Sequence, residues 1–401
     1  LTNFRPDGRI GRCVCTLWWM LNTSRSLPLG RVAGIPVRIS WSVLLVSAFG
    51  SWILATRLLP RFDDELSLRW RLALSLGAVL FFLGSILAHE FGHALVARRH
   101  GIRTSSIRLW IFGGVAALPS SATTPRAEFE IAAAGPATNG VLAGVFLGTA
   151  ALLRRLEAPE TIALIAGGLA VLNLLLTVTN LIPAAPLDGG RVLSSILWAR
   201  TGRPEWARLI SARIGIVVGT LIILFGIFEL LVRDQPTGLY TSAIGGFIAV
   251  AARADVVTAS IRGRLSSTSV ADVLWHYPPA IHDSLSIHDV AKRLGPASVS
   301  VPVQRWANET IGYLPTELGI RMEPKDQTWT TAGQLMTPIE LVPTAWTSES
   351  LLAALERHGT KPMQMLGIDP ETGSVVGTAT PSQFAHLLTE PKLWGGVPAE
   401  R

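Results

Sequence analysis

The sequence predicts a polytopic α-helical membrane protein with about six transmembrane helices, followed by a C-terminal α/β module. Of its 401 residues, 49% are hydrophobic, and the mean hydropathy is +0.40, which is high for a soluble protein. Charged residues make up only 16% of the chain; they are scarce between residues 39 and 253 and ordinary in frequency afterwards. A pattern in the polar half also recurs at a spacing of about 60 residues, which is typical of a tandem repeat.

These changes in composition divide the chain into five segments. We expect a basic N-terminal segment at 1–38, a membrane domain at 39–253, a linker at 254–268, and two repeat units at 269–323 and 330–390. The chain begins at Leu1 rather than Met. For its first residues, a mis-assigned or extended start and a functional leader are therefore both open.

Six stretches of the membrane domain are candidates for transmembrane helices, which need roughly 20 mostly apolar residues. They are residues 39–59, 72–96, 127–153, 161–181, 207–232 and 239–250. The last stretch is short, so tilted, interfacial and miscounted helices are alternatives there. The apolar stretch Trp110–Pro119 is too short to span, and its Gly113-Gly114 pair predicts the turn of a hairpin or re-entrant loop.

The positive charges indicate how the chain is oriented. The net charge is +7 and the pI is near 10.1, and arginines cluster next to apolar segments, at 98–108, at 191–208 and from Arg253 onward. Cytoplasmic loops of membrane proteins are enriched in Lys and Arg, so we expect a multi-pass plasma-membrane protein with its N-terminus and C-terminal module in the cytoplasm. Nucleic-acid binding is the alternative for a basic chain. Because the arginines flank apolar segments, we expect no nucleic acid partner.

The second predicted span ends in a possible metal-binding motif, His89-Glu90-Phe91-Gly92-His93. Residues four apart share one face of a helix, so both imidazoles can reach a single ion. Glu90 follows His89 directly, where it can take a proton from metal-bound water. The alternative is a chance match, but the motif adjoins a run of apolar residues, and ionisable groups at membrane depth are costly unless they have a function.

Catalytic zinc takes three protein ligands and water, so a third ligand is needed. Asp188 is the candidate, because it is the only acid between Thr161 and Arg200 and lies among prolines and glycines that bend the chain. The alternative is an aspartate that caps the following helix. Cys13 and Cys15 lie near the amino end, so no Cys-based zinc site is expected elsewhere.

Together these motifs resemble the paired signature of the site-2 protease family of intramembrane zinc metalloproteases. The second half of that signature is Asn180-Leu-Ile-Pro-Ala-Ala-Pro-Leu-Asp188-Gly189. The resemblance implies that His89, His93 and Asp188 bind one catalytic zinc ion and that Glu90 is the general base. It covers about residues 25–253, without an insertion long enough for the PDZ domain that some relatives carry.

Two further segments resemble motifs of this family. Phe112-Gly113-Gly114 is similar to a hairpin beside the active site that is thought to hold the substrate as a strand, which implies a substrate-binding role. Ala134–Asn139 resembles the third-helix motif, which makes Asn139 a candidate donor to the developing oxyanion; Asn180 is a second candidate. The alternative for both asparagines is a hydrogen bond to a neighbouring helix.

The resemblance implies a zinc metalloendopeptidase that cleaves transmembrane segments of single-span membrane proteins within the lipid bilayer. One alternative is a membrane transporter that carries the C-terminal module in the cytoplasm, which would need ionisable groups spread along a pathway rather than clustered at one depth. The other is a catalytically inactive scaffold of the same fold, against which the complete His-Glu-x-x-His motif and Asp188 argue.

The repeat in the polar half resembles a tandem pair of CBS domains, which are small β-α-β-β-α units that dimerise and often bind adenine nucleotides. Ser269–Leu274 and Thr331–Pro338 occupy corresponding places in the two copies. The resemblance implies a regulatory or dimerisation module and a homodimer. An adenine nucleotide is a possible ligand, but after Thr380 the expected acid is replaced by Gln383, which favours a module without nucleotide.

Overall fold

The computed structural model describes residues 26–110, 113–117, 122–276, 279–294, 300–306, 309–316, 318, 322–358 and 364–380. The chain divides into two compact units, residues 1–257 and 258–401. The division lies inside the segment predicted to link the membrane domain to the repeats.

The first unit, residues 1–257, is built from long apolar helices, and the last of them continues to Ser267. Their bounds are Trp41–Ile53 (α1), Leu68–Arg99 (α2), Pro125–Arg155 (α3), Glu160–Asn180 (α4), Asp188–Thr201 (α5), Pro204–Leu231 (α6) and Thr237–Ser267 (α7). Within the described ranges, six helices are long and apolar enough to cross a membrane: α2, α3, α4, α6, α7, and α1 with the turns that extend it to Arg61. The predicted polytopic helical fold is confirmed.

The sixth predicted span, residues 239–250, was too short. Helix α7 runs for 31 residues, from Thr237 to Ser267. The prediction stopped where Arg253 and Asp255 end the apolar stretch, but charged side chains do not interrupt the backbone hydrogen bonds of a helix.

The first unit also contains a four-stranded sheet. Its strands are Ser26–Val32 (β1), Ile35–Ser40 (β2), Ser106–Trp110 (β3) and Gly113–Ala117 (β4), in the order β1-β2-β3-β4. Strand β2 pairs antiparallel with β1 and parallel with β3. Residues 26–38 belong to the segment predicted only as basic, and they form β1 and most of β2. The alternate residues Ile35, Val37 and Ile39 are all buried, as the period of a strand requires.

The Gly113-Gly114 pair does not form the predicted turn. Strands β3 and β4 form an antiparallel hairpin in which Trp110 pairs with Gly113 and Leu109 with Gly114, so both glycines lie in a strand. A glycine pair is a turn signal because it tolerates unusual backbone angles. Here the missing side chain of Gly114 instead allows a close approach to Glu90. Phe112 lies outside the described residues.

Close helix packing in this unit depends on small residues. A Cβ added at Gly219 in α6 would lie 2.7 Å from the backbone nitrogen of Ala249 and 2.8 Å from the carbonyl oxygen of Gly245, both in α7. Small residues let the backbones of membrane helices approach closely where lipid tails provide no hydrophobic driving force.

The second unit contains two copies of one β-α-β-β arrangement. The first consists of Ile281–His282 (β6), Ile287–Leu294 (α8), Ser300–Gln304 (β7) and Thr310–Pro315 (β8). The second consists of Thr344–Trp346 (β10), Leu351–His358 (α11), Met365–Ile368 (β11) and Val375–Ala379 (β12). Two short helices, Pro324–Trp329 (α9) and Ala332–Leu335 (α10), lie between the copies.

A short strand that precedes each copy pairs with a strand of the other copy. Trp275–His276 (β5), ahead of the first copy, pairs with β12, and Thr337–Pro338 (β9), ahead of the second, pairs with β8. Buried Gln364 joins the copies further, because its amide nitrogen donates to the carbonyl oxygen of Tyr313 at 3.2 Å. The two repeats therefore form one interlocked α/β module. This confirms the tandem α/β module of the predicted fold class.

We expect Gly219→Ala to lower the thermal stability of the purified membrane protein, because the added methyl group separates α6 from α7. Gly144→Ala in α3 is the matched control, since nothing lies within 4 Å of a Cβ at that position. Melting temperatures in detergent measure both changes. Equal melting temperatures for the two variants would contradict the close packing of α6 and α7.

Candidate metal centre

Helix α2 carries His89, Glu90 and His93 in its last third. All three side chains belong to buried residues, with exposed fractions of 8%, 8% and 5%. Because His89 and His93 are one helical turn apart, their rings lie on the same face, with centroids 4.8 Å apart. The fold therefore removes from solvent the polar groups that the sequence places at the end of a spanning helix.

Asp188 completes a compact group of three ligand atoms. The Nε2 atoms of His89 and His93 are 3.1 Å apart, and the Oδ2 atom of Asp188 lies 3.1 Å from the first and 3.2 Å from the second. Zinc bonds of about 2.0–2.1 Å in tetrahedral geometry separate two ligand atoms by about 3.3 Å. Two imidazoles and one carboxylate at this spacing fit a single zinc ion and leave a fourth position for water.

The outer nitrogens of both rings are held by carbonyl oxygens. His89 Nδ1 lies 2.8 Å from the side-chain oxygen of Asn139, and His93 Nδ1 lies 2.6 Å from the backbone oxygen of Ile131. Carbonyl oxygens only accept hydrogen bonds, so each Nδ1 carries the proton. Each Nε2 then has a free lone pair directed at the site, which is the form that binds a metal.

Two glycines make room for this arrangement. A Cβ at Gly135 in α3 would lie 2.6 Å from the Nε2 atom of His89 and would overlap the ring of His93. Gly92 permits the approach of α3 to α2, because a Cβ there would lie 2.9 Å from the carbonyl oxygen of Ala134. A side chain at Gly135 would therefore collide with both imidazole rings, and one at Gly92 would push α3 away from α2.

The start of α5 holds Asp188 in place. A Cβ at Gly190 would lie 2.6 Å from the carbonyl carbon of Ala184, so this glycine lets the preceding loop fold over the helix. Ser211 in α6 donates a 2.7 Å hydrogen bond to the carbonyl oxygen of Gly190. Arg191 forms a 2.9 Å ion pair with Glu128 in the first turn of α3.

Sequence reasoning missed the ion pair between Arg191 and Glu128. The acidic residue Glu128, at the beginning of a predicted span, could have indicated this ion pair, because an unpaired charge there is costly.

Strand β4 runs against the carboxylate of Glu90. A Cβ at Gly114 would lie 2.7 Å from the Cδ atom of Glu90, so only glycine allows the strand to pass this close. Strand β4 is also the last strand of its sheet among the described residues, which leaves one edge for another strand. Of the predicted substrate-binding residues, Gly113 and Gly114 lie in this strand.

The two candidate oxyanion donors have different surroundings. Asn139 is fully buried; its oxygen faces His89 and its amide nitrogen donates to Asn173 at 3.1 Å. Asn180 is the last residue of α4 and is half-buried, and none of the hydrogen bonds among the described residues engages its side chain. Sequence reasoning missed Asn173, a lone amide within an otherwise apolar span.

Known proteins match both halves of the chain. The profile of peptidase family M50 matches residues 77–155 and 157–225. Rip3 of Mycobacterium tuberculosis, classed as a zinc metalloprotease, is 36% identical over 370 residues, which cover 92% of this chain and 94% of Rip3.

Among solved structures, the site-2 protease from Methanocaldococcus jannaschii is similar over 58% of this chain and 95% of its own, with a TM-score of 0.39 and 24% identity. The CBS domain of a bacterial CNNM/CorC family Mg²⁺ transporter, solved with ATP, is similar over 34% of this chain and 96% of its own, with a TM-score of 0.25 and 20% identity. Because the identity to Rip3 extends over nearly the whole of both chains, this chain belongs to peptidase family M50 and is a multi-pass membrane zinc metalloprotease.

Proposed function

We propose that this metalloprotease hydrolyses peptide bonds of membrane proteins inside the bilayer, with zinc held by His89, His93 and Asp188. The observation that carries the proposal is the triangle of ligand atoms, with sides of 3.1, 3.1 and 3.2 Å, at the end of a membrane-length helix. Both imidazoles already have the protonation form that a metal requires. The complete set of ligands also argues against an inactive scaffold.

Glu90 is the general base of the proposed mechanism. A zinc ion held by His89, His93 and Asp188 would supply Lewis-acid chemistry and an activated water at this position. The buried carboxylate of Glu90 accepts a proton from the attacking water and returns it to the leaving amide nitrogen. Gly114 supports this role, because the absence of its side chain brings β4 against the carboxylate.

Asn180 is the better candidate for the oxyanion donor. The side chain of Asn139 is committed to His89 and Asn173, and reorienting it would break both hydrogen bonds. The amide of Asn180, eight residues before Asp188, is free among the described hydrogen bonds to donate to the negative charge that develops on the substrate oxygen.

The proposed substrate is the transmembrane segment of a single-span membrane protein. The peptide bonds of a transmembrane helix are hydrogen-bonded within the helix, so the segment must unwind before hydrolysis. An unwound segment can pair with the open edge of β4, where backbone hydrogen bonds hold it beside Glu90. Helix-breaking residues near the cleavage point would therefore favour cleavage.

The C-terminal module is proposed to regulate this activity from the cytoplasm or to dimerise the protein. Its repeats interlock through the pairing of β5 with β12 and of β9 with β8. The arginine clusters beside the apolar segments support the proposed cytoplasmic location. Adenine nucleotide binding is not part of the proposal. Gln383, at the expected position of an acid, lies outside the described residues.

We expect Glu90→Gln to abolish cleavage while zinc stays bound, because the amide keeps the shape of the side chain but cannot accept the proton. The loss should be at least about 10²-fold, the lower range for a general base. Cleavage of a panel of single-span substrates and metal content by mass spectrometry measure the two effects. Unchanged cleavage would remove Glu90 from the mechanism.

Asp188→Ala should remove zinc as well as activity, since two imidazoles alone hold the ion weakly. Glu160→Ala serves as the control, because Glu160 is an exposed acid at the start of α4. Zinc stoichiometry after dialysis against a chelator distinguishes the variants. Full occupancy with normal affinity in Asp188→Ala would show that another group is the third ligand.

Gly135→Ala should also abolish zinc binding, because the added methyl group would occupy the space between the two ring nitrogens. Gly140→Ala is matched on the same helix, where the nearest atoms to a Cβ lie 3.9 Å away, an ordinary contact. Titration of the two metal-free variants with zinc measures and compares their zinc affinities. Equal zinc affinity in both variants would contradict the proposed position of the ion.

A further inference from the structure

A buried chain of polar side chains extends from His89 away from the proposed metal position. The Nδ1 atom of His89 meets Asn139, whose amide nitrogen donates to the Oδ1 atom of Asn173 at 3.1 Å. Asn173 donates in turn to Ser85 Oγ at 3.1 Å and to the backbone oxygen of Leu169 at 2.9 Å. Asn139 and Asn173 are 0% exposed and Ser85 is 2% exposed, so water does not compete for these groups.

The direction of every hydrogen bond in this chain follows from one backbone carbonyl. The oxygen of Leu169 can only accept, so the amide nitrogen of Asn173 must face it and the side-chain oxygen of Asn173 must face Asn139. Asn139 must then donate with its nitrogen, which turns its own oxygen to His89. Since that oxygen can only accept, His89 carries its proton on Nδ1 and exposes the lone pair of Nε2 to the metal site.

Ser85 completes the arrangement. It accepts the second N–H group of Asn173 and donates its own proton to the backbone oxygen of Phe81 at 3.1 Å. Both N–H groups of Asn173 are therefore occupied, and flipping its amide would place an oxygen against the carbonyl of Leu169. The three helices α2, α3 and α4 each contribute a member of the chain.

Polar side chains in membrane helices commonly do no more than hold two helices together. Thr177, one turn after Asn173 in α4, is of that kind: its hydroxyl contacts the backbone oxygens of Pro136 at 3.3 Å and Asn173 at 3.0 Å. Neither of these hydrogen bonds reaches a side chain of the site. Asn173 differs because its hydrogen bond ends on the side chain that holds a ligand ring.

We propose that Asn173 is a positioning residue for the metal centre, which acts through Asn139 to hold the His89 ring with its Nε2 lone pair directed at zinc. Ser85 and the carbonyl of Leu169 fix the amide of Asn173 in the one orientation that does this. The inference rests on the proposed zinc site. It adds a second residue behind the ligand His89, after Asn139, and this residue comes from a helix that carries no ligand itself.

The test is the zinc affinity of full-length protein in detergent, measured by competition with a chromophoric chelator. Asn173→Leu should weaken zinc binding by about 10- to 100-fold, the usual effect of removing a partner that orients a ligand. Thr177→Val is the matched control, because it removes a hydrogen bond between α3 and α4 without touching the chain to His89. It should keep the wild-type affinity.

A second variant protects the test against misfolding. In Asn173→Thr the hydroxyl can bond to the carbonyl of Leu169 within the helix, as threonines commonly do in membrane helices, but it is too short to reach Asn139. The melting temperature of the chelated protein reports folding separately from metal binding. A normal zinc affinity in this variant, whatever its melting temperature, would overturn the proposal.

A double-mutant cycle tests whether Asn173 acts through Asn139. In the background of Asn139→Ala, Asn173→Leu should cause little further loss of zinc affinity, because the connection to His89 is already broken. Additive losses would show that Asn173 acts by another route and would overturn the proposal. If wild-type protein itself bound no zinc, the proposed metal site would fail first, which is a different result from a normal affinity in the variants.

Discussion

The cost of an unpaired polar group at membrane depth governs the structure of this site. Two imidazoles and two carboxylates lie in a bundle of apolar helices, where each uncompensated group would cost several kcal/mol. The fold meets part of that cost by pairing the outer ring nitrogens, His89 with Asn139 and His93 with the carbonyl of Ile131. The Nε2 atoms and Asp188 lie within 3.2 Å of each other, where a shared metal ion would compensate them. Because these pairings fix which ring nitrogens carry protons, the same constraint that protects the fold also prepares the ligands for a metal.

Glycine provides the space that the pairings require. Gly92 brings α3 against α2, Gly135 leaves room beside the ring nitrogens, and Gly114 lets a strand pass Glu90. A Cβ at any of these positions would meet an atom of the site or of its supporting helix. These glycines are therefore as necessary to the arrangement of the site as the histidines, although glycine has no side chain that could take part in the reaction.

The sequence predicted the residues that a local pattern or a scarcity of rivals marks out, and it missed those whose role depends on distant hydrogen-bond partners. His89, Glu90 and His93 follow from helical periodicity, and Asp188 from the scarcity of other acids. The sequence analysis did not identify Asn173, because its importance depends on Asn139 and Ser85, which are 34 and 88 residues away in the chain. The misplacement of Gly113-Gly114 has the same origin: local preference favours a turn, whereas the packing against Glu90 is set by the tertiary fold.

Metal binding and helix packing are coupled by the hydrogen bonds that join α2, α3 and α4. The bond from Asn139 to Asn173 crosses from α3 to α4, and the bond from Asn173 to Ser85 crosses from α4 to α2. Separating these helices would break the hydrogen bonds that orient the His89 ring, so in the proposed zinc site the ring orientation that would bind zinc depends on the packing of all three. By linkage, a ligand that binds only the packed form stabilises that packing in return. Zinc in this protein would therefore be a structural partner of the three-helix core as well as the source of its catalytic power.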